Sequence, residues 1–355
     1  MNIEPVTSEG GERSPSATLA GFIVGMSRAG TQWMCKCLNE HPDVAAFGES
    51  KFFGRHYVEP AEDGLYHEAQ LGAMRRRLLE HGSFIHSTTG TGPGTLKRLS
   101  MAGVEGLVAQ TFPVDGEPLL PGEAFRRLAQ AVAKVEGKPL AIEKTPHHLN
   151  WTDRMLAAVP EARFIVMVRE PYSFMLSWRH QGDRFEERIR RAFARRYHPA
   201  AIAMIWKTSM RAATGAVARR PDRMLLVRFE DLRADPHATL ERVQRFLGLR
   251  VVNLAEAVPP DNTSFPGGRR PDLHAEDIFW MNRIAGSAIR AHGYSLRRTP
   301  FGPLRIAWSS IRLPWWAVRN YLSLRSRVAG STFGYLLRWL RPGLARDTTN
   351  PEIEA

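Results

Sequence analysis

The chain has 355 residues with 49 Lys and Arg against 36 Asp and Glu, a formal charge of +13. Its 43% hydrophobic and 24% charged content is that of a globular protein able to bury a core as one large domain or two modest ones, which excludes a disordered or collagen-like chain. The two cysteines, Cys35 and Cys37, sit two apart in a predicted helix where they cannot face each other, which excludes a disulfide-stapled secreted scaffold and points to a reducing compartment.

Residues 1–18, rich in Ser, Gly, Pro and Glu, read as a disordered lead-in. The first twenty residues lack the basic start and apolar run of a signal peptide, and no 18-residue apolar stretch reads as a membrane span. Residues 19–24 form a short apolar run ending at Gly25, which predicts a buried strand, and 31–40 predict a helix closed by His41-Pro42. A second strand is expected at 44–47. Between 54 and 138 the pattern predicts a basic helix near 68–81, the turn-rich STTGTGPGT at 87–95 and a helix near 122–136; this region is expected to shape an acceptor pocket.

From 139 onward the alternation is clear. Strands are expected at 139–143, 163–168 and 223–227, and helices at 148–159, 171–181, 199–219 and 236–247. Apolar strands alternating with helices predict an α/β fold with a central parallel sheet flanked by helices. The sequence shows no internal repeat and no metal-ligand spacing.

The first strand–loop–helix junction, GFIVGMSRAGTQWMCKCL, places Gly25 and Gly30 at the spacing of the two glycines in a phosphate-binding loop. Backbone N–H groups of such a loop, with a helix N-terminus behind them, attract anions. Thr31 stands where the triphosphatase lysine would be and Gln32 where its Ser or Thr would be, so a metal-bound triphosphate is disfavoured; the cation comes earlier, at Arg28. Taken alone, the junction is equally consistent with a strand-to-helix turn that holds nothing.

The segment resembles the 5′-phosphosulfate loop of sulfotransferases that use 3′-phosphoadenosine-5′-phosphosulfate (PAPS). Arg28, Gly30 and Thr31 match that loop, Ala29 replaces its usual Ser and Gln32 its second Thr, and Trp33 falls where many members set an aromatic against adenine. The family binds the donor's 3′-phosphate with an Arg and a Ser eight residues apart after a central strand. Here RFIVMVREPYSFMLSW places Arg169 and Ser177 at that spacing, about 140 residues from the loop. An arginine fork suits phosphate better than a lysine point charge. RFEDL at 228–232 running on to FLGL, and HGY at 292–294, resemble further family segments, with Phe229 in place of the commoner Tyr. The pair Glu230-Asp231 reads as a helix start or an ion-pair feature. The resemblance covers about 20–295 and implies the P-loop-kinase-like sulfotransferase fold with PAPS as donor co-substrate, no metal, and a hydroxyl-bearing acceptor.

The resemblance also implies catalytic residues. Lys144, in AIEKTPHHL, matches an E-K-T-P element that brings lysine to the sulfuryl group, and it is one of only seven lysines against 42 arginines. Glu49, in FGESKFF, matches the glutamate that acts as base in carbohydrate and tyrosyl-protein sulfotransferases, with a pKa expected to fall beside cations. Arg28 completes the catalytic set. His147 and His148 compete for the role of base, and Lys51 and Arg55 either meet an acidic acceptor or stay solvated. Arg269 and Arg270, in SFPGGRRPD, are the nearest candidates for a second 3′-phosphate contact, while His274 nearby has no ligand role.

The basic excess is uneven. Residues 278–346 carry twelve arginines and no acid, whereas 1–277 hold 37 basic residues against 33 acidic ones. The segment 303–341 interleaves Arg305, Arg312 and Arg319 with Trp308, Trp315, Trp316 and Trp339, and Pro314 and Gly330 are expected to divide it into short helices. Aromatic and basic residues on amphipathic helices predict a membrane surface contact, the competing reading being a helical cap on the core. The expected organisation is a lead-in at 1–18, a sulfotransferase domain at 19–297, a basic amphipathic extension at 298–345 and a tail at 346–355. The expected setting is cytoplasmic, peripheral on the inner membrane face, with a glycan, glycolipid or other lipid-linked acceptor, no specific nucleic acid and no oligomeric state assigned. The rivals are a P-loop kinase for a nucleotide or small molecule and a non-enzymatic membrane- or nucleic-acid-binding protein.

Overall fold

A computed structural model describes residues 19–80, 101–113, 116–183, 185–258 and 271–325. Five apolar segments form strands β1 (Leu19–Gly25), β2 (Val44–Gly48), β3 (Leu140–Lys144), β4 (Phe164–Val168) and β5 (Met224–Arg228), paired in the order β2-β3-β1-β4-β5 as a parallel sheet. The register sets Ile23 of β1 and Gly48 of β2 level with Lys144 of β3, so the carboxyl ends of these strands finish together. From β1 the chain passes to one side of the sheet, and after β3 it crosses to the other. The crevice beyond the carboxyl end of β1 is therefore a topological switch point, where open α/β sheets bind ligands.

Helices α1 (Thr31–Asn39), α2 (Glu68–Glu80), α3 (Met101–Thr111), α4 (Pro121–Glu136), α5 (Thr152–Ala158) and α6 (Pro171–Arg179) follow in chain order. After them come α7 (Glu187–Arg196), α8 (Pro199–Arg219), α9 (Phe229–Ala234), α10 (Pro236–Phe246), α11 (Ala275–Ala291) and α12 (Pro303–Arg325). Contacts divide the chain into two compact units, Met1–Met167 with Ala216–Val258, and Val168–Gly215 with Pro259–Ala355.

In the first unit, aromatic side chains fill the space beside β1. Phe22 stacks on Phe164 at 5.2 Å and meets Phe125 of α4 at 5.2 Å, and Phe53 adds an edge contact to Phe22 at 6.2 Å. At Gly25, φ is 137° and an added Cβ would lie 2.1 Å from the Met167 carbonyl oxygen, so only glycine lets β1 leave the sheet this close to β4. Within the second unit, Arg179 of α6 donates two hydrogen bonds to Asp277 of α11, and Tyr197 donates a third at 2.6 Å. Asp277 also accepts from the His274 N–H, forming a capping box that starts α11, so His274 has a structural role.

The expected strands and most helices are present, and Glu230 and Asp231 do open a helix, α9. Several features differ, and helices α3 and α11 were not among the expected elements. Residues Pro146–Trp151 form a 3₁₀ turn ahead of α5. Helix α7 was not expected: none of its residues is buried, and its apolar side is only Ile189, Ala192 and Phe193 among arginines. Pro314 does not divide the extension: α12 runs through it. The proline removes one N–H, but the helix is held before it by Ser309, which accepts from Trp280 and His198, and after it by the Arg319 guanidinium on the Arg195 carbonyl. The lead-in, the STTGTGPGT stretch, Arg269, Arg270, Gly330 and Trp339 lie outside the described residues.

The α4–α5 approach gives a direct stability test. A Cβ at Gly122 would sit 1.9 Å from the Ala158 carbonyl oxygen, whereas at Gly72 the nearest atom outside its own turn is an arginine tip at 3.7 Å. Gly122→Ala should therefore cost about 1–3 kcal/mol or more and lower the thermal midpoint. Gly72→Ala, in the interior of α2, should leave it unchanged or raise stability by up to about 1 kcal/mol.

Candidate active site

Two loops at the carboxyl ends of β1 and β2 carry unusual backbone. Among the described residues, the non-glycine positions with left-handed φ are Arg28 (70°), Glu49 (42°) and Lys51 (55°). Each conformation costs on the order of 1 kcal/mol for an L-residue, and such strain collects where function fixes it.

In the first loop, Gly30 has φ 84° and caps α1, and an added Cβ there would be 2.2 Å from the Phe229 ring. Phe229 thus supports the loop from beneath, and Trp33 packs edge-on against it at 5.1 Å. Trp33 is buried, as are Ala29 and Thr31, while Arg28 and Gln32 are half-buried. The N-terminus of α1 has no side-chain cap and no acid in its first turn, so its leading N–H groups keep their affinity for an anion. A hydroxyl is present in the loop at Ser27, not at Ala29: its Oγ lies 3.2 Å from His147 Nε2.

In the second loop, Glu49 and Lys144 form an ion pair, Nζ to Oε1 at 2.9 Å. The Lys144 side chain is 3% exposed and that of Glu49 34%, so the ammonium is enclosed and the carboxylate opens to solvent. The Glu49 N–H also donates to the Lys144 carbonyl at 2.8 Å. Burial is the largest influence on Glu49 and would raise its pKa. The Lys144 charge and hydrogen bond, then Lys51 and His147, outweigh it and hold the carboxyl below its usual value. Desolvation first, then Arg55 and Lys144, lowers the pKa of Lys51 against the pull of Glu49. The ring of His147 reaches the surface yet is hemmed in by protein, and desolvation, followed by Lys51, His148 and Lys144, keeps it below the ordinary histidine value despite Glu49.

Beneath the ion pair lies a buried carboxyl that the sequence reading did not single out. Glu143 accepts from the Ser50 N–H at 3.1 Å, the Ser50 hydroxyl at 2.8 Å and the Thr145 hydroxyl, and its second oxygen faces His148 Nδ1 at 3.2 Å. Thr145 Oγ1 in turn accepts from the Lys51 N–H at 3.3 Å. His148 is fully buried by this contact and is no candidate for a solvent-facing base, whereas His147 stays beside the loop. The E-K-T-P spelling was the available signal: alternation along β3 sends Glu143 inward and Lys144 toward the crevice.

Arg169 and Ser177 belong to the second unit. Arg169 directly follows β4, its carbonyl accepts from Trp206 Nε1 at 2.8 Å, and both it and Ser177 are buried. Pro171 opens α6, and Glu170 caps it by accepting from the Ser173 N–H at 2.6 Å. Cysteine chemistry is unsuited to this site: burial, the largest effect, pushes the Cys35 thiol up to about 11 and that of Cys37 to about 12. Among the described residues, His274, Glu276 and Asp277 bring metal-type donors together, but Arg179 and the α11 cap already engage them.

A glycine-bounded loop after the first strand, a buried lysine and a facing carboxylate lie at the carboxyl end of an α/β sheet. The sulfotransferase family model matches residues 22–253, and the chain belongs to that family; its fold is the P-loop-like sulfotransferase fold and its general chemistry is sulfuryl transfer. Similar solved structures include the sulfotransferase domain of the Synechococcus PCC 7002 olefin synthase, at 19% identity over 81% of this chain and 99% of that one, with TM-score 0.46. A sulfotransferase from Mycobacterium avium is 14% identical over 80% of this chain and 79% of that one, with TM-score 0.45. A sulfotransferase from Alicyclobacillus acidocaldarius is 18% identical over 79% of this chain and 98% of that one, with TM-score 0.43. A search of curated proteins finds no match.

The ion pair makes a prediction that does not depend on substrate. Lys144→Met removes the main influences lowering the Glu49 pKa and leaves burial opposed only by weaker cations. Carboxyl-labelled NMR titration should show the Glu49 pKa rising in the variant; an unchanged value would mean that the pair does not govern this carboxylate.

Proposed function

We propose that the protein transfers a sulfuryl group from PAPS to a hydroxyl of a glycan, glycolipid or other lipid-linked acceptor. The observation that carries this reading is the 2.9 Å Glu49–Lys144 pair beside the uncapped α1 loop at the carboxyl end of the sheet. PAPS supplies the activated sulfuryl group and a doubly phosphorylated leaving group. The loop 25–30, with Arg28 and the α1 N–H groups, is suited to its 5′-phosphosulfate; Ala29, Thr31, Gln32 and Trp33 complete that segment by family position. Arg169 and Ser177 are assigned to the 3′-phosphate, and Arg269 and Arg270 to a second contact there.

The chemistry asked of these residues is positioning and charge neutralisation. Lys144, held nearly dry, neutralises the oxygen that bridges sulfur to phosphate, and Arg28 assists it. Glu49 takes the acceptor proton as the oxygen–sulfur bond forms; the bond from sulfur to the bridging oxygen breaks, and its electron pair leaves on 3′,5′-diphosphoadenosine. The depressed pKa of Glu49 keeps it ionised at neutral pH but makes it a weak base. Transfer of Lys144 from Glu49 to the donor would restore basicity at the moment it is needed. No step in this scheme calls for a metal. A cytoplasmic enzyme peripheral on the membrane, contacting it through 303–341, suits a lipid-linked acceptor; no described helix is long and apolar enough to cross a bilayer.

Glu49→Gln and Lys144→Ala should each lower transfer of labelled sulfate from PAPS to acceptor pools of a cell extract by about 10²–10³-fold. In wild type the acid limb of the kcat/KM profile, which reports the free enzyme, should lie below the ordinary glutamate value, because there the base stays ionised until pH falls through its lowered pKa. Full transfer by either variant would overturn these assignments.

A further inference from the structure

Helix α12 has two apolar faces. Its inner face, through Ile306, Ser309, Leu313 and Trp316, packs within its own unit: Ser309 is bonded to Trp280 and His198, and the Trp316 ring lies 5.3 Å from His198. On the opposite side Leu304, Trp308, Ile311, Trp315, Val318 and Leu322 repeat at intervals of four and three residues, and each is more than half exposed. Such a stripe is wide enough to be one face of an amphipathic helix, and nothing among the described residues covers it.

Beside the stripe runs a groove of about 290 Å³ between α7 and α12, walled by Arg191, Arg195, Arg312 and Arg319 and floored by Trp315 and Trp316. Arg191 is paired with Glu187 at 2.6 Å, but Arg195 and Arg312 have no carboxylate within ion-pair distance among the described residues. A neighbouring concavity meets the groove at Arg312, yet there Arg179 and Arg305 are balanced by Glu276. The groove is thus where uncompensated positive charge and the exposed indole ring of Trp315 coincide.

We propose that this face docks on an anionic bilayer, the outer stripe of α12 entering the interface and lipid phosphates seating in the α7–α12 arginine groove. The proposal rests on the membrane contact offered above and adds its site and its lipid chemistry. The charge pattern selects the occupant. A second copy placed symmetrically on the stripe would bring Arg305, Arg312 and Arg319 toward the same arginines, and 278–346 holds no acid to compensate them. Anionic headgroups supply that charge, and tryptophans favour the depth at which headgroups meet chains.

Flotation of the full chain with phosphatidylcholine vesicles, with and without phosphatidylglycerol, tests this. Wild type should bind the mixed vesicles, more weakly at high salt, with a blue shift of tryptophan fluorescence. Arg195→Gln with Arg312→Gln should weaken binding to mixed vesicles by on the order of fivefold per arginine and leave binding to neutral vesicles unchanged. Trp308→Ser with Trp315→Ser should weaken both. Absence of wild-type binding, equal binding by all variants, or a dimer abolished by the tryptophan substitutions would overturn the proposal. Calorimetry with 3′,5′-diphosphoadenosine on the same samples separates the two readings: nucleotide binding without vesicle binding defeats the docking alone, and vesicle binding without nucleotide binding leaves the docking standing while the donor reading falls.

Discussion

The buried carboxyl of Glu143 is the constraint on which the site depends. It gathers Ser50 from the loop after β2, and Thr145 and His148 from the chain after β3, into one hydrogen-bonded network within the core. Buried polar groups are costly unless partnered, so the network has few alternative arrangements. It holds Ser50 between Glu49 and Lys51, both in left-handed backbone, and it holds the end of β3 where Lys144 meets Glu49. The strain in the loop and the proximity of opposite charges border the same network.

The same economy applies to charge. In the first unit the cations at the carboxyl end of the sheet are few, and Arg28, Lys51 and Lys144 are each constrained by backbone conformation or burial. The larger excess lies elsewhere, in an arginine-rich, acid-free segment whose helix is apolar on both sides. A formal charge of +13 therefore combines two proposed roles: donor binding at the crevice beyond β1, and attraction to a charged surface.

Much of this was legible in the sequence because the relevant patterns are local. Apolar strand runs, Gly25 and Gly30, the E-K-T-P spelling and the Arg169–Ser177 spacing each lie within a short window and predict strands, loop and candidate ligands. What escaped depends on contacts between distant segments. Nothing local says that Phe229 would pack under Gly30, that Ser27 would supply the loop hydroxyl toward His147, or that His148 would be consumed by Glu143 while its neighbour stays exposed. Pro314 misled for the opposite reason: a strong local breaker was overruled by the packing of α12 on both sides of it. Helix α7 was missed because none of its residues is buried and its short apolar trace, Ile189, Ala192 and Phe193, lies among arginines.

The central claim is that the loop from Gly25 to Gly30 holds a sulfonucleotide, not a metal triphosphate. Titration calorimetry of the full chain with 3′,5′-diphosphoadenosine and, separately, with magnesium-ATP addresses it most directly. The account predicts clear preference for 3′,5′-diphosphoadenosine without added metal; preference for magnesium-ATP would contradict it.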